Sequence, residues 1–138
     1  MGENVKYLIL GASSFYGNSF AKLCFEKGDE VSCLSRPEWS LGDDIQYADC
    51  VVNFASNSLV AESWANPTAW LMTNAIFTNA LFEQVMALKI PRFIHVSTPE
   101  VYGHTPSIVR EGHPFNPSTP YAVSRAAADM MLMAYHKA

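Results

Sequence analysis

The stretch STPYAVSR, residues 118–125, sets a phenol, Tyr121, four residues before a guanidinium, Arg125. An alanine-rich apolar run, AAADMMLMAY, follows it. Pro120 suits the first position of a helix, where its missing N–H would be unpaired anyway. Residues four apart share a helix face, so the phenol and the cation face the same way. A surface helix carries such a pair by chance. A redox site would use a phenol beside a fixed positive charge.

A second stretch points to redox chemistry. In LILGASSFYGNSF, Gly11 ends an apolar run and Gly17 opens a helical pattern, with Ser14 midway. A strand-to-helix turn of this kind aims backbone N–H groups and a helix N-terminus at a pyrophosphate. Glycine serves where the chain needs positive φ or where a phosphate must come close. The serine takes up some room, and its hydroxyl can donate to a phosphate. About 20 residues on, a ribose-reading residue is expected at the end of the second strand. Ser35 and Arg36 stand there. An arginine accepts a 2′-phosphate, which favours NADP over NAD, while Glu38 remains open as a reader of a 2′-hydroxyl. A third stretch, HVSTPEVYGH, brings Ser97, Thr98 and Glu100 to the carboxyl end of a strand, where open α/β sheets bind ligands.

The elements that must position these residues follow from the apolar patterning. KYLILGA, EVSCLS (30–35), DCVVNFA (49–55) and RFIHVST (92–98) read as strands. The first, third and fourth have the apolar character of strands in a parallel sheet, the first and third buried on both faces. NSFAKLCFEKG reads as a helix closed by Gly28, and a single long helix is expected from about Pro67 to Leu88. Between Pro37 and Asp49 a short edge strand around Asp44–Tyr47 fits better than a helix. Strands alternating with helices imply an α/β fold with a mostly parallel sheet and right-handed crossovers.

GASSFYG, HVSTPEVYG and PYAVSRAAAD, in this order, resemble the extended short-chain dehydrogenase/reductases. They are most similar to the nucleotide-sugar epimerases and dehydratases of the dTDP-glucose 4,6-dehydratase type. VVNFASNSLVAESWANPTAWLMTNAIFTNALFEQV resembles a further segment of that family. The resemblance implies a Rossmann-type three-layer fold, with residues 1–138 forming one NAD(P)-binding domain. It implies a dinucleotide held by Gly11, Ser13, Ser14, Phe15, Tyr16, Gly17, Ser35, Arg36, Phe54, Ala55 and Ser56, together with Tyr121 and Arg125. It implies hydride transfer on a nucleotide-activated sugar, with Tyr121 as general base. A free tyrosine has a pKa near 10, so this role needs a nearby cation. Arg125 stands where the family has lysine, and the exchange is not conservative. Thr98 would hydrogen-bond the reacting oxygen, and Glu100 matches a glutamate that abstracts a proton in dehydratases. The family's aspartic acid before that glutamate is replaced by Pro99, which has no proton to give. Asn74 matches an asparagine that ties helix to backbone.

The chain ends just after the tyrosine helix, whereas the family continues into a region that holds the nucleotide-sugar. The expectation is therefore a fold lacking the C-terminal substrate region. A homodimer built through the long helices would cover part of the exposed apolar surface. The alternative is a degenerate dinucleotide-binding module without catalysis of its own. A net charge of −4 argues against nucleic acid as the main partner. No apolar run approaches the roughly 18 residues that span a bilayer. The N-terminus reads as a strand and not as a signal peptide. Cys24, Cys33 and Cys50 read as buried free thiols of a cytoplasmic protein. The four histidines show no metal-ligand spacing, and His95 reads as a satisfied core residue.

Overall fold

The computed structural model describes residues 4–34 and 43–138. They form two compact units, Met1–Ser56 with Leu81–Val96 and Asn57–Ala80 with Ser97–Ala138.

The first unit is built on four parallel strands, β1 (Lys6–Leu10), β2 (Glu30–Leu34), β3 (Cys50–Asn53) and β4 (Arg92–His95). Their order is β2-β1-β3-β4, so the two most apolar strands are central. Side chains alternate across a strand. Leu8 and Leu10 therefore face one layer, where Val51 joins them with Ile45, Ala48, Leu81 and Val85. The last two come from α3 (Phe77–Ala87), four residues apart on one helix face. Tyr7 faces the other layer, where its ring meets the edge of Phe20 from α1 (Phe15–Glu26) at 5.6 Å. Helix, sheet and helix make the Rossmann-type α/β arrangement expected from the sequence.

The differences in detail have local causes. Asp43–Tyr47 is a 3₁₀ helix and not an edge strand. Ile45 and Ala48 both need burial, and their spacing of three suits a 3₁₀ turn better than the strand period of two. β3 stops at Asn53 because its side-chain oxygen accepts the Ala55 N–H at 3.0 Å, an Asx turn that leaves the ladder. β4 stops opposite it, at the pair Asn53–His95. Cys24 and Cys50 are buried free thiols, but Cys33 is exposed because β2 is an edge strand. Ser35, Arg36 and Glu38 lie outside the described residues.

The second unit holds α2 (Pro67–Leu71), a π-helical turn (Met72–Ile76), a 3₁₀ helix (Pro99–Tyr102) and α4 (Pro120–Lys137). The single helix expected over 67–88 is thus interrupted. A π turn inserts one extra residue per turn, and such turns cluster at functional positions. Here the turn contains Asn74, which is fully buried. Its Oδ1 accepts the Asn57 N–H at 2.7 Å, and its Nδ2 donates to the Asn57 carbonyl at 2.9 Å and to Ser124 Oγ at 3.0 Å. The helix-to-backbone tie expected of Asn74 is present, and it extends to α4. Asn74→Ala should cost about 1–3 kcal/mol, because it strands polar groups that are partly shielded from water. Urea unfolding monitored by circular dichroism checks this as a lowered midpoint at unchanged m-value.

Candidate functional site

The glycine loop lies in the first unit. Gly11 follows β1 with φ of +75°, a conformation that favours glycine. A Cβ there would come within 2.7 Å of the Ala55 backbone nitrogen. The chain therefore passes close beside the segment Phe54–Ser56. Ser14 caps α1, its Oγ accepting the Gly17 N–H at 3.1 Å. Its own O–H remains available as a donor. Gly17 is buried, and a Cβ on it would run into the Gly11 carbonyl oxygen. Both glycines are thus required by the turn itself. The first turn of α1 carries no acidic residue, so the helix N-terminus has no built-in anion. Ser13 and Ser14 are exposed, and Phe15 and Tyr16 more so, at 80% and 71%. This end of α1 fits an anionic group such as a pyrophosphate. Deeper in the unit, Asn53 Nδ2 lies 3.3 Å from His95 Nδ1, and the His95 ring stacks on Phe93. His95 is held as a structural residue.

The acid–base candidates lie in the second unit, and α4 begins at several fixed points. Thr119 caps it by accepting the Ala122 N–H at 3.0 Å, with Pro120 at the first helical position. The Tyr121 N–H donates to Ser63 Oγ at 3.1 Å, and Ser63 in turn donates to the Val60 carbonyl at 2.6 Å. Ser124 Oγ donates to the Tyr121 carbonyl at 2.7 Å and accepts from Asn74. The backbone carrying the phenol is thereby fixed before any ligand arrives. Tyr121 is 8% exposed and Arg125 2%.

Thr98 caps the 3₁₀ helix Pro99–Tyr102, its Oγ1 accepting the Glu100 N–H at 3.3 Å. Its own O–H is thus free to donate. Gly103, at φ of +64°, closes this turn against Asn116, whose N–H donates to the Val101 carbonyl at 2.9 Å. The Tyr102 ring packs on His113 and Phe115. Glu100 is exposed and borders a pocket of about 400 Å³ shared with Tyr102, Thr105, Arg110 and Glu111. That volume falls in the range of small-ligand sites.

Two groups on α4 are electrostatically displaced. Burial pulls the Arg125 guanidinium below its usual value, while Tyr121 and Asp129 act in the opposite direction. Burial pushes the Asp129 carboxyl up, and the hydrogen bond from Ser97 Oγ and the charge of Arg125 oppose this. Asp129, Ser63, Ser124 and Asn57 are absent from the sequence-derived candidates. Asp129 alone had a visible signal, since it stands eight residues after Tyr121 and four after Arg125. Among the described residues, no group of three His, Cys, Asp or Glu could hold a metal ion. No described helix is long and apolar enough to cross a membrane.

A Rossmann-type sheet, a glycine turn under a helix N-terminus and a buried Tyr-x-x-x-Arg pair define a short-chain dehydrogenase/reductase type of protein. The sequence model of the GDP-mannose 4,6-dehydratase family matches residues 41–138, and the chain belongs to that family. It is 37% identical to the dTDP-glucose 4,6-dehydratase of Streptomyces niveus over 90 residues, 64% of this chain and 27% of that protein. Among solved structures, it resembles the NAD-dependent NDP-hexosamine 5,6-dehydratase TunA, with a TM-score of 0.91 and 25% identity. The match covers 96% of this chain and 50% of TunA. It also resembles a double mutant of the dTDP-glucose 4,6-dehydratase DesIV of Streptomyces venezuelae, solved with NAD bound. There the TM-score is 0.83 and the identity 26%, over 96% of this chain and 52% of DesIV. The chain spans between a quarter and a third of the curated relatives it matches, and about half of these solved ones.

The raised Asp129 carboxyl predicts a pH dependence of stability. A carboxyl with a folded pKa above its unfolded one stabilises fully below the unfolded value, and that contribution is lost as pH rises through the folded value. Wild-type thermal stability should therefore contain a component that falls as pH rises from about 4 upward. In Asp129→Asn that component should vanish, which thermal melts across pH 4–8 can read as a flatter profile.

Proposed function

We propose that this chain binds a nicotinamide dinucleotide and contributes the acid–base residues for hydride transfer on a nucleotide-activated sugar. The observation that carries the reading is the buried Tyr121–Arg125 pair on a helix start held by Ser63, Ser124 and Thr119. Residues 1–138 are read as the NAD(P)-binding domain. The first unit supplies Gly11, Ser13, Ser14, Phe15, Tyr16 and Gly17 for the phosphates, with Phe54, Ala55 and Ser56 lining the cofactor cleft. TunA is described as NAD-dependent and DesIV was solved with NAD, which supports a nicotinamide dinucleotide here. The preference for NADP rests on Arg36.

When bound, the dinucleotide would accept or return a hydride at the nicotinamide ring. The chain's own residues do the rest. Tyr121 Oη takes the proton of a sugar hydroxyl as the carbon beneath it is oxidised, and returns it in the reverse step. Arg125 stabilises the phenolate through its fixed charge and hydrogen-bonds a ribose. Thr98 donates its O–H to the reacting oxygen. Glu100 would move a proton at a neighbouring carbon. Pro99 offers no acid beside Glu100, so epimerisation or ketone reduction is supported better than expulsion of water. A second reading, a dinucleotide-binding module without turnover, is favoured by that same Pro99 and by arginine in the place of lysine.

Calorimetric titration with NADH and NADPH should give saturable binding, tighter for NADPH. Gly17→Ala should lose it, because its Cβ displaces the Gly11 carbonyl. Failure of both dinucleotides to bind at millimolar concentration would contradict the reading. With a nucleotide-linked keto-sugar as substrate, Tyr121→Phe should lose at least about a hundredfold in kcat, the usual scale of a general base. Arg125→Lys should retain turnover. Binding without turnover in the wild type would select the second reading.

A further inference from the structure

Asp129 is not accounted for by capping, core packing or the acid–base assignment. It stands one helical turn beyond Arg125 and two beyond Tyr121, so the three lie along one face of α4. Arg125 on that face is 2% exposed, and a guanidinium removed from water needs an opposing charge within reach. The side chain of Asp129 accepts a hydrogen bond from Ser97 Oγ. Ser97 immediately precedes Thr98, whose own side chain caps the turn that carries Glu100. One carboxylate thus stands one turn from the cation on its own helix and grips the segment that carries the other two acid–base residues.

We propose that Asp129 is a positioning residue. Through Ser97 it fixes the Thr98–Glu100 segment to α4, and along the helix it holds the Arg125 guanidinium in the orientation from which Arg125 serves Tyr121. Its consequence for turnover rests on the function proposed above. Its effect on Arg125 does not. Ser97 and Asp129 together therefore form a polar tie within the second unit. Loss of either member loosens Arg125 without touching a reacting atom.

The test reads Arg125 directly. The chain has four arginines, so the side-chain Nε–H signals of the intact ¹⁵N-labelled protein are few, and Arg125→Lys assigns the one that matters. In wild type the Arg125 Nε–H should exchange with water more slowly than the other three. Asp129→Asn should accelerate it about tenfold, because a guanidinium held less firmly opens more often to water. Ser97→Ala, at an exposed position, should accelerate it about threefold with the amide spectrum otherwise retained. Asp129→Glu should restore most of the protection. Unchanged Arg125 exchange in a folded Asp129→Asn or, if that variant does not fold, in Ser97→Ala overturns the proposal. In an active wild type, Asp129→Asn should lower kcat with KM little changed. An inactive wild type would contradict the proposed function and leave the exchange result to decide the role of Asp129.

Discussion

Arg125 is a full positive charge at 2% exposure, and the second unit is organised by the need to hold it. Removing a guanidinium from water costs several kcal/mol unless opposing charge and hydrogen bonds surround it. A lysine in that place can give up its proton when buried, whereas an arginine keeps its charge. Arg125 is therefore a permanent cation one turn from Tyr121, and demands more of its neighbours than a lysine would. Asp129 lies one turn away on the other side. Ser63, Ser124 and Asn74 fix the backbone on which the pair sits. The interrupted helix at Met72–Ile76 belongs to the same requirement, because it delivers Asn74 to Ser124.

The first unit answers a different constraint. Its turn from β1 to α1 runs so close to the Phe54–Ala55 backbone that Gly11 has no room for a Cβ, and folds so tightly on itself that Gly17 has none beside the Gly11 carbonyl. The approach to Ala55 comes from the sheet. β1 and β3 are neighbours, and the carboxyl ends of both strands turn away beside each other. Ser14 then completes the helix N-terminus through its own side chain. A middle serine is compatible with this geometry, because its hydroxyl takes the role of cap and keeps a proton to donate.

Much of this was legible in the sequence. The buried strands show as continuous apolar runs, and Pro120 marks the start of α4. Gly11 and Gly17 mark a turn that no other residue could make. What was not legible depends on partners distant in sequence. The π turn is decided by Asn57 and Ser124, which lie 17 and 50 residues from Asn74. Local periodicity cannot register such a demand. The 3₁₀ helix at Asp43–Tyr47 was hidden because Ile45 and Ala48 alone need burial there. Cys33 looked like its two buried counterparts until strand order placed β2 at the edge. Asp129 was readable only as one more member of a polar helix face, and its pairing with Ser97 spans 32 residues.

Hydride transfer to and from a sugar carbon, supported by Tyr121 and Arg125, is the function we propose. The most direct test is to incubate the intact chain with a nucleotide-linked keto-sugar and NADH or NADPH carrying deuterium at nicotinamide C4. Mass spectrometry then measures the label in the recovered sugar nucleotide. One deuterium is expected on the carbon that bore the ketone, at a level that falls to background in Tyr121→Phe. Label absent from the wild-type product, or present equally in Tyr121→Phe, would contradict it.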